Sequence, residues 1–229
     1  MPATAAVTTR KPPTALFAPP GVYRPQGDTR LLAEALGREE LGPGTDVMDI
    51  GTGTGALALL AAARGARVTA VDVSWPAVVT ARLNALRRRV PLTVVHGDFE
   101  AGARGRSFDL ILANPPYVPS PDAGLPTHGA QRAWEGGLAG REVIDRICAR
   151  APALLRPGGV LLMVHSGLCG AATTVEHLER AGLSAEVTLR ASVPWGPVLR
   201  SRRSWLEAHG LVPEGETQEE LVIVRAESR

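Results

Sequence analysis

Residues 46–63 read Asp-Val-Met-Asp-Ile-Gly-Thr-Gly-Thr-Gly-Ala-Leu-Ala-Leu-Leu-Ala-Ala-Ala, and their order decides the fold. The apolar run ending at Ile50 reads as a buried strand, Gly51-Thr-Gly-Thr-Gly55 as a turn, and the Ala/Leu stretch from Ala56 as a strong helix. Glycines at the turn permit a tight reversal and let backbone approach a bound molecule closely. A second strand, Arg67-Val-Thr-Ala-Val-Asp-Val, follows and carries Asp72 about 20 residues past Gly51, where an acid can hold both hydroxyls of a ribose. Strand, glycine turn, helix, strand and acid together describe a nucleoside-cofactor site at the carboxyl ends of parallel strands.

Working outward, a third strand over residues 92–96 leads to Gly97-Asp98-Phe99, and a fourth, Phe108-Asp-Leu-Ile-Leu-Ala, runs into Asn114-Pro115-Pro116-Tyr117. Two successive prolines lack amide donors and have fixed φ, so the ladder must stop at Asn114 and a rigid loop begins. Such a loop offers the Asn114 amide and the Pro115 carbonyl as acceptors, with Tyr117 as an aromatic wall. Two acceptors and a flat ring fit a planar NH2 group; the plainer alternative is a strand-ending turn with a buried tyrosine. A helix is expected through Leu155, then a turn at Arg156-Pro-Gly-Gly, a fifth strand over 160–166, a helix over 170–181, a strand over 184–193 and a last strand over 221–225. This predicts an α/β fold: a Rossmann-like, seven-stranded, mostly parallel sheet with its last strand pair antiparallel and helices on both faces.

At 229 residues the chain suffices for one α/β domain, expected over residues 21–229, behind a flexible Pro/Ala/Thr-rich tail over 1–20. Its 45% apolar and 21% charged residues are those of a globular protein. No apolar run approaches the roughly 20 residues that span a bilayer, and the start lacks a secretory signal's order, so a cytoplasmic chain is expected. Cys148 and Cys169 read as buried free thiols without metal-site spacing, and no metal is implied. A net charge of +2 is too mild to argue for nucleic-acid binding. Arg82 and Arg87-Arg88-Arg89 suit the end of a helix. Arg200, Arg202 and Arg203 fit either a surface loop or a contact for an acidic partner. Asp28 and Thr29 are placed to cap the helix that begins near Arg30, or to lie beside the cofactor.

The glycine spacing, Gly51-x-Gly53-x-Gly55 with Asp49 ahead of it, departs from the dinucleotide fingerprint Gly-x-Gly-x-x-Gly. It resembles the first motif of the class I S-adenosylmethionine-dependent methyltransferases. Asn-Pro-Pro-Tyr, at the end of the fourth strand, resembles the members that methylate planar nitrogens. Within these, Val22-Tyr-Arg-Pro-Gln-Gly-Asp-Thr-Arg-Leu-Leu, Asn114-Pro-Pro-Tyr-Val and Trp134-x-Gly-Gly-x-x-Gly-Arg-Glu-Val-Ile-Asp are similar to the HemK-type protein glutamine methyltransferases, in their short archaeal and eukaryotic branch. The resemblance covers about residues 22–165 and implies an enzyme that binds S-adenosylmethionine through Asp28, Thr29, Asp49, Gly51, Gly53, Gly55, Asp72, Val73, Asp98, Phe99 and Asn114. Asp28 and Thr29 would reach the methionine end, and Asp98 the adenine amino group with Phe99 against the ring. Asn114, Pro115 and Tyr117 would carry the chemistry, with Pro116, Tyr117 and Trp134 at the substrate. The acceptor it implies is the glutamine of a Gly-Gly-Gln segment in a peptide chain release factor, and the eukaryotic branch pairs with a small activator subunit. A small-molecule or peptide acceptor, a nucleic-acid amino group, and a cofactor-binding regulatory subunit stay as alternatives. The stretch 193–205 matches nothing in the family pattern.

Overall fold

The structure is a computed structural model, and it describes residues 16–122 and 124–229. Seven strands form one sheet: β1 (Asp46–Ile50), β2 (Arg67–Asp72), β3 (Thr93–His96), β4 (Phe108–Ala113), β5 (Leu155–Ser166), β6 (Leu183–Pro194) and β7 (Gln218–Ser228). Their spatial order is β3-β2-β1-β4-β5-β7-β6. β1 to β5 pair in parallel, and β7 inserts antiparallel to both β5 and β6. The last two strands thus pair antiparallel, as expected, and among the described residues β7 is the one strand that runs against the rest. The order reverses at β1 and β4, and open α/β sheets bind ligands outside the carboxyl ends of the strands at such a switch point.

Helices α1 (Gly27–Leu36), α2 (Ala56–Ala62) and α3 (Trp75–Arg88) pack on one face of the sheet. α5 (Glu142–Leu154) and α6 (Ala171–Arg180) cover the other face, and the short α4 (Phe99–Ala103) joins the same core. α2 is buried along its whole length, as its Ala/Leu composition requires. α3 has Pro76 in its first turn, where a missing amide costs nothing, and Arg87 and Arg88 in its last, favoured by the helix dipole. α1 starts earlier than expected. Gln26 stands at its cap position and offers no side-chain bond, so Asp28 and Thr29 lie inside the first turn and are buried rather than capping. That burial frees both for the cavity described below.

β5 also begins earlier than the expected turn at 156–159. Arg156 donates to Asp46 at 2.6 Å and to Asp109 at 2.7 Å, which clamps the amino ends of β1, β4 and β5 together. Arg67 and Arg156 hold the Asp46 carboxyl down at about 2. Residues 1–15 of the expected tail lie outside the described residues. Phe17 is bonded through both of its backbone groups to the Asn84 side chain on α3, at 2.9 Å each. Cys148 and Cys169 are both free and buried.

Candidate active site

The glycine turn is built from the backbone outward. Gly53 adopts φ 55°, a left-handed conformation costly for any side chain, and a Cβ there would come to 3.7 Å from the Tyr23 carbonyl. Its amide donates to Asp72 Oδ2 at 2.9 Å, while the Ser74 amide donates to Asp72 Oδ1 at 2.8 Å. Asp49 is sealed behind the turn. Its Oδ2 accepts from the Thr52 hydroxyl at 2.6 Å and from the Ala58 amide at 3.2 Å, which ties β1 to the first turn of α2. Burial pushes the Asp49 carboxyl up to about 7 and raises Asp72 as well, against the hydrogen bonds that favour their charged forms.

The loop after β4 forms the facing wall. Asn114 Oδ1 is closed off from solvent and has no hydrogen-bond partner. A buried acceptor left unmade costs about 1–3 kcal/mol, and Asn114 is among the residues that line the cavity described below. The Tyr117 hydroxyl donates to Asp28 Oδ2 at 3.3 Å, and the Tyr23 hydroxyl donates to the same oxygen at 2.6 Å. Burial, with the Asp28 charge beside them, raises both phenols above their ordinary range. Glu219 on β7 is buried on the same side of the sheet, with Oε1 unpartnered. Burial and the nearby Asp28 charge raise it to about 7.

The base of the loop is a short parallel pairing. The Val118 amide donates to the Trp134 carbonyl at 2.7 Å, Gly136 to Val118 at 3.0 Å and Ser120 to Gly137 at 3.0 Å. Gly140 keeps this base closed: a Cβ there would lie 2.2 Å from the Tyr117 carbonyl oxygen, and its φ of 70° excludes most residues in any case. A 3-10 turn over Ala130–Ala133 returns the chain to Trp134.

Between the two walls lies a cavity of about 500 Å³. Asp28, Thr29, Asp49, Gly51, Gly53, Asp72, Val73, Asp98, Phe99, Asn114, Pro115, Pro116, Tyr117 and Trp134 all line it, so the structure gathers nearly every residue expected at the site. Gly55 is the exception. It faces α3, where a Cβ would meet that of Ala81 at 3.3 Å, so it serves close packing of α2 on α3. Asp98 caps α4, accepting from the Ala101 amide at 2.9 Å, and Phe99 stands under the Arg146 guanidinium, 5.4 Å from its ring centre. Tyr23, Arg132 and Arg146 also line the cavity. Sequence reasoning gave them no role, although Tyr23 lies in the quoted Val22–Leu32 stretch, which was the signal that could have found it. Among the described residues, no group of three or more His, Cys, Asp or Glu is gathered as a metal ion would need, and no helix is long and apolar enough to cross a membrane.

This sheet order, with one antiparallel strand and a cavity at the carboxyl ends of β1, β2 and β4, is the fold of the class I methyltransferases. Mtq2 of E. cuniculi, solved in a Mtq2–Trm112 complex described as responsible for methylation of the eRF1 translation termination factor, superposes with TM-score 0.63 at 23% identity, over 91% of this chain and 99% of that one. A T. thermophilus 16S rRNA N2 G1207 methyltransferase, solved with AdoMet and guanosine, superposes with TM-score 0.56 at 23% identity, over 90% of this chain and 44% of that one. The family model of the methyltransferase small domain matches residues 15–126.

Sequence relatives narrow the class. A putative protein N5-glutamine methyltransferase of Methanocaldococcus jannaschii is 34% identical over 177 residues, covering 77% of this chain and 88% of that protein. The chain belongs to the protein glutamine methyltransferase family. The release factor glutamine methyltransferase of Moorella thermoacetica is 38% identical over 154 residues, but the match spans only 54% of its length. Mouse methyltransferase HEMK2 is 37% identical over 153 residues, 71% of its length.

Proposed function

We propose that this enzyme transfers a methyl group from S-adenosylmethionine to the side-chain amide nitrogen of a glutamine, that of the Gly-Gly-Gln segment of a peptide chain release factor. The observation that carries this reading is the buried, unpartnered Asn114 Oδ1 at the head of a rigid Pro-Pro loop. The residues also fit the cofactor. Asp72 has the position for the ribose hydroxyls, Asp98 for the adenine amino group, Val73 and Phe99 for the ring, and Asp28 and Thr29 for the methionine end, with the Gly51–Gly53 turn and Asn114 between them. When bound, S-adenosylmethionine supplies an electrophilic methyl group on a sulfonium centre.

An amide nitrogen is a poor nucleophile because its lone pair is shared with the carbonyl. No side chain deprotonates it readily at neutral pH. Asn114 Oδ1 and the Pro115 carbonyl accept its two N–H bonds, which turns the nitrogen toward the methyl group and holds the reacting atoms about 3 Å apart. Tyr117, tethered to Asp28, and Pro116 pack on the amide plane. Trp134 lines the same cavity. His165 is no base for this step: burial lowers it to about 4, and its Nδ1 meets the Ser166 carbonyl at 2.8 Å. Positioning by fixed acceptors carries the catalysis: as the new N–C bond forms, the methyl group's bond to sulfur would break with its electron pair left on a neutral thioether, and one amide proton would be lost to water.

The reading extends to a small activator subunit, as Mtq2 was solved in complex with a second protein, Trm112. It is supported by an apolar stripe on α3, where Trp75, Val79, Leu83 and Leu86 are exposed beside the edge strand β3. With a release-factor acceptor, the reading is of a cytoplasmic enzyme. Incubation with S-adenosylmethionine and a release factor, followed by mass spectrometric mapping, tests the acceptor. One added methyl group on the glutamine of Gly-Gly-Gln is the expected result. A release factor left unmodified, with the cofactor bound, would contradict it.

A further inference from the structure

The connection between β6 and β7, residues 195–217, is far longer than a hairpin needs. It forms two short helices, α7 (Pro197–Ser201) and α8 (Arg203–Ala208), which fold under the loop after β4. Trp195 is 2% exposed and fastens the connection to the sheet, its Nε1 donating to the Gln218 carbonyl at 2.7 Å. Buried Leu199, Leu206 and Val212 then build a third apolar cluster with Val118, and Tyr117 and Trp134 pack against it. None of residues 195–212 lines the cavity, so this cluster touches the site only through the loop.

Arg202 stands at the junction of α7 and α8. One guanidinium nitrogen donates to the Pro119 carbonyl at 2.8 Å, and the other donates to Glu135. Pro119 and Glu135 lie on opposite sides of the loop base, next to the Val118–Trp134 and Gly136–Val118 bonds. The arginine fork thus spans both sides of the base at once, which a single ammonium cannot do. The pair is well buried, with side chains 16% and 5% exposed. Removing either partner leaves a charge in low dielectric, so the loop must open locally to hydrate it. This contradicts the reading of Arg202 as a surface contact for an acidic partner: its charge is spent inside the molecule.

We propose that Arg202 is a positioning residue for methyl transfer, holding the base of the 114–136 loop so that Asn114, Pro115 and Tyr117 meet the acceptor amide, with α7 and α8 as the brace that carries it. The effect on turnover rests on the function proposed above; the effect on the loop does not. Both are read by comparing wild type with R202A and R202K. Amide hydrogen exchange at Val118, Ser120 and Gly136 is expected to speed up about tenfold or more in R202A, with β4 amides unchanged. S-adenosylmethionine affinity by calorimetry should stay within about twofold, and kcat on the release factor should fall about tenfold or more. R202K, which keeps the charge but not the fork, should lie between the two. R202K also serves if R202A does not fold.

Unchanged exchange at these three amides would overturn the proposal. So would faster exchange throughout β4 and β5, which would mark a general loss of stability, or a loosened loop with unchanged kcat. If wild type methylates no release factor, the acceptor assignment fails, while the exchange comparison still decides whether Arg202 holds the loop.

Discussion

The two walls of the cavity are held in different ways. The cofactor wall is made of short-range contacts: Thr52 to Asp49, three residues apart, Ser74 to Asp72, two apart, and Gly53 to Asp72, nineteen apart across one strand–helix–strand unit. The acceptor wall is made of long-range ones: Tyr117 to Asp28 across 89 residues, Arg202 to Pro119 across 83 and Arg202 to Glu135 across 67. A wall built within one supersecondary unit forms as that unit forms. A wall assembled from four distant segments can be adjusted without disturbing the other, and it is where an acceptor can be selected.

If the walls are separable, damage to each should have its own signature. The largest effect is expected from Asn114→Ala on the acceptor wall: kcat falls about 10²–10³-fold, as for loss of a preorganised hydrogen-bonding group at a reacting centre, with a smaller loss of cofactor affinity because Asn114 also borders the cofactor. Turnover assays beside calorimetry check this, and a matching loss of affinity would merge the two walls. Asp72→Ala on the cofactor wall should do the reverse, weakening S-adenosylmethionine binding about 10–100-fold by removing a charged hydrogen-bond partner from a buried site. A saturating cofactor concentration should then restore most of kcat. Tyr117→Phe keeps the ring and removes only the 3.3 Å bond to Asp28, so a loss of kcat within about tenfold is expected.

The smallest effect is on stability and concerns a buried acid on β7 near Asp28. Glu219 is raised to about 7 in the folded protein, above its ordinary 4.5. The folded state therefore holds this proton after the unfolded chain has lost it, and stability contributed here falls as pH rises from about 4.5 to 7. Glu219→Gln stays neutral throughout. It should raise Tm at pH 8 by more than at pH 5, checked by thermal unfolding at both values. An equal shift at the two pH values would show that Glu219 is not held protonated.

The same contrast explains what could be read from the sequence. The glycine turn, Asp72 and the Asn114-Pro-Pro-Tyr loop were legible because their chemistry is local: a positive φ, a fixed spacing, a ladder that prolines must end. The antiparallel pairing of the last two strands was legible too, whereas the insertion of β7 between β5 and β6 was not, because hydrophobic alternation gives the existence of a strand and not its neighbour. Gly55 looked like part of the cofactor turn, since spacing cannot tell close approach to a ligand from close approach to Ala81. Asp28 and Thr29 could be read either as caps or as neighbours of the cofactor because their types suit both, and only the packed α1 shows them buried inside its first turn. The role of 193–205 was invisible: a buried Arg202–Glu135 pair leaves no periodic signature, and a lone arginine reads as surface until its partner is in place.

The claim that fixed acceptors turn the glutamine nitrogen toward the methyl donor is tested most directly by the structure of the enzyme with S-adenosylmethionine and a release-factor Gly-Gly-Gln peptide. The account predicts the glutamine amide nitrogen within about 3 Å of both Asn114 Oδ1 and the Pro115 carbonyl oxygen, with Tyr117 on the amide plane. A glutamine bound elsewhere in the cavity, with Asn114 Oδ1 satisfied by the cofactor alone, would contradict it.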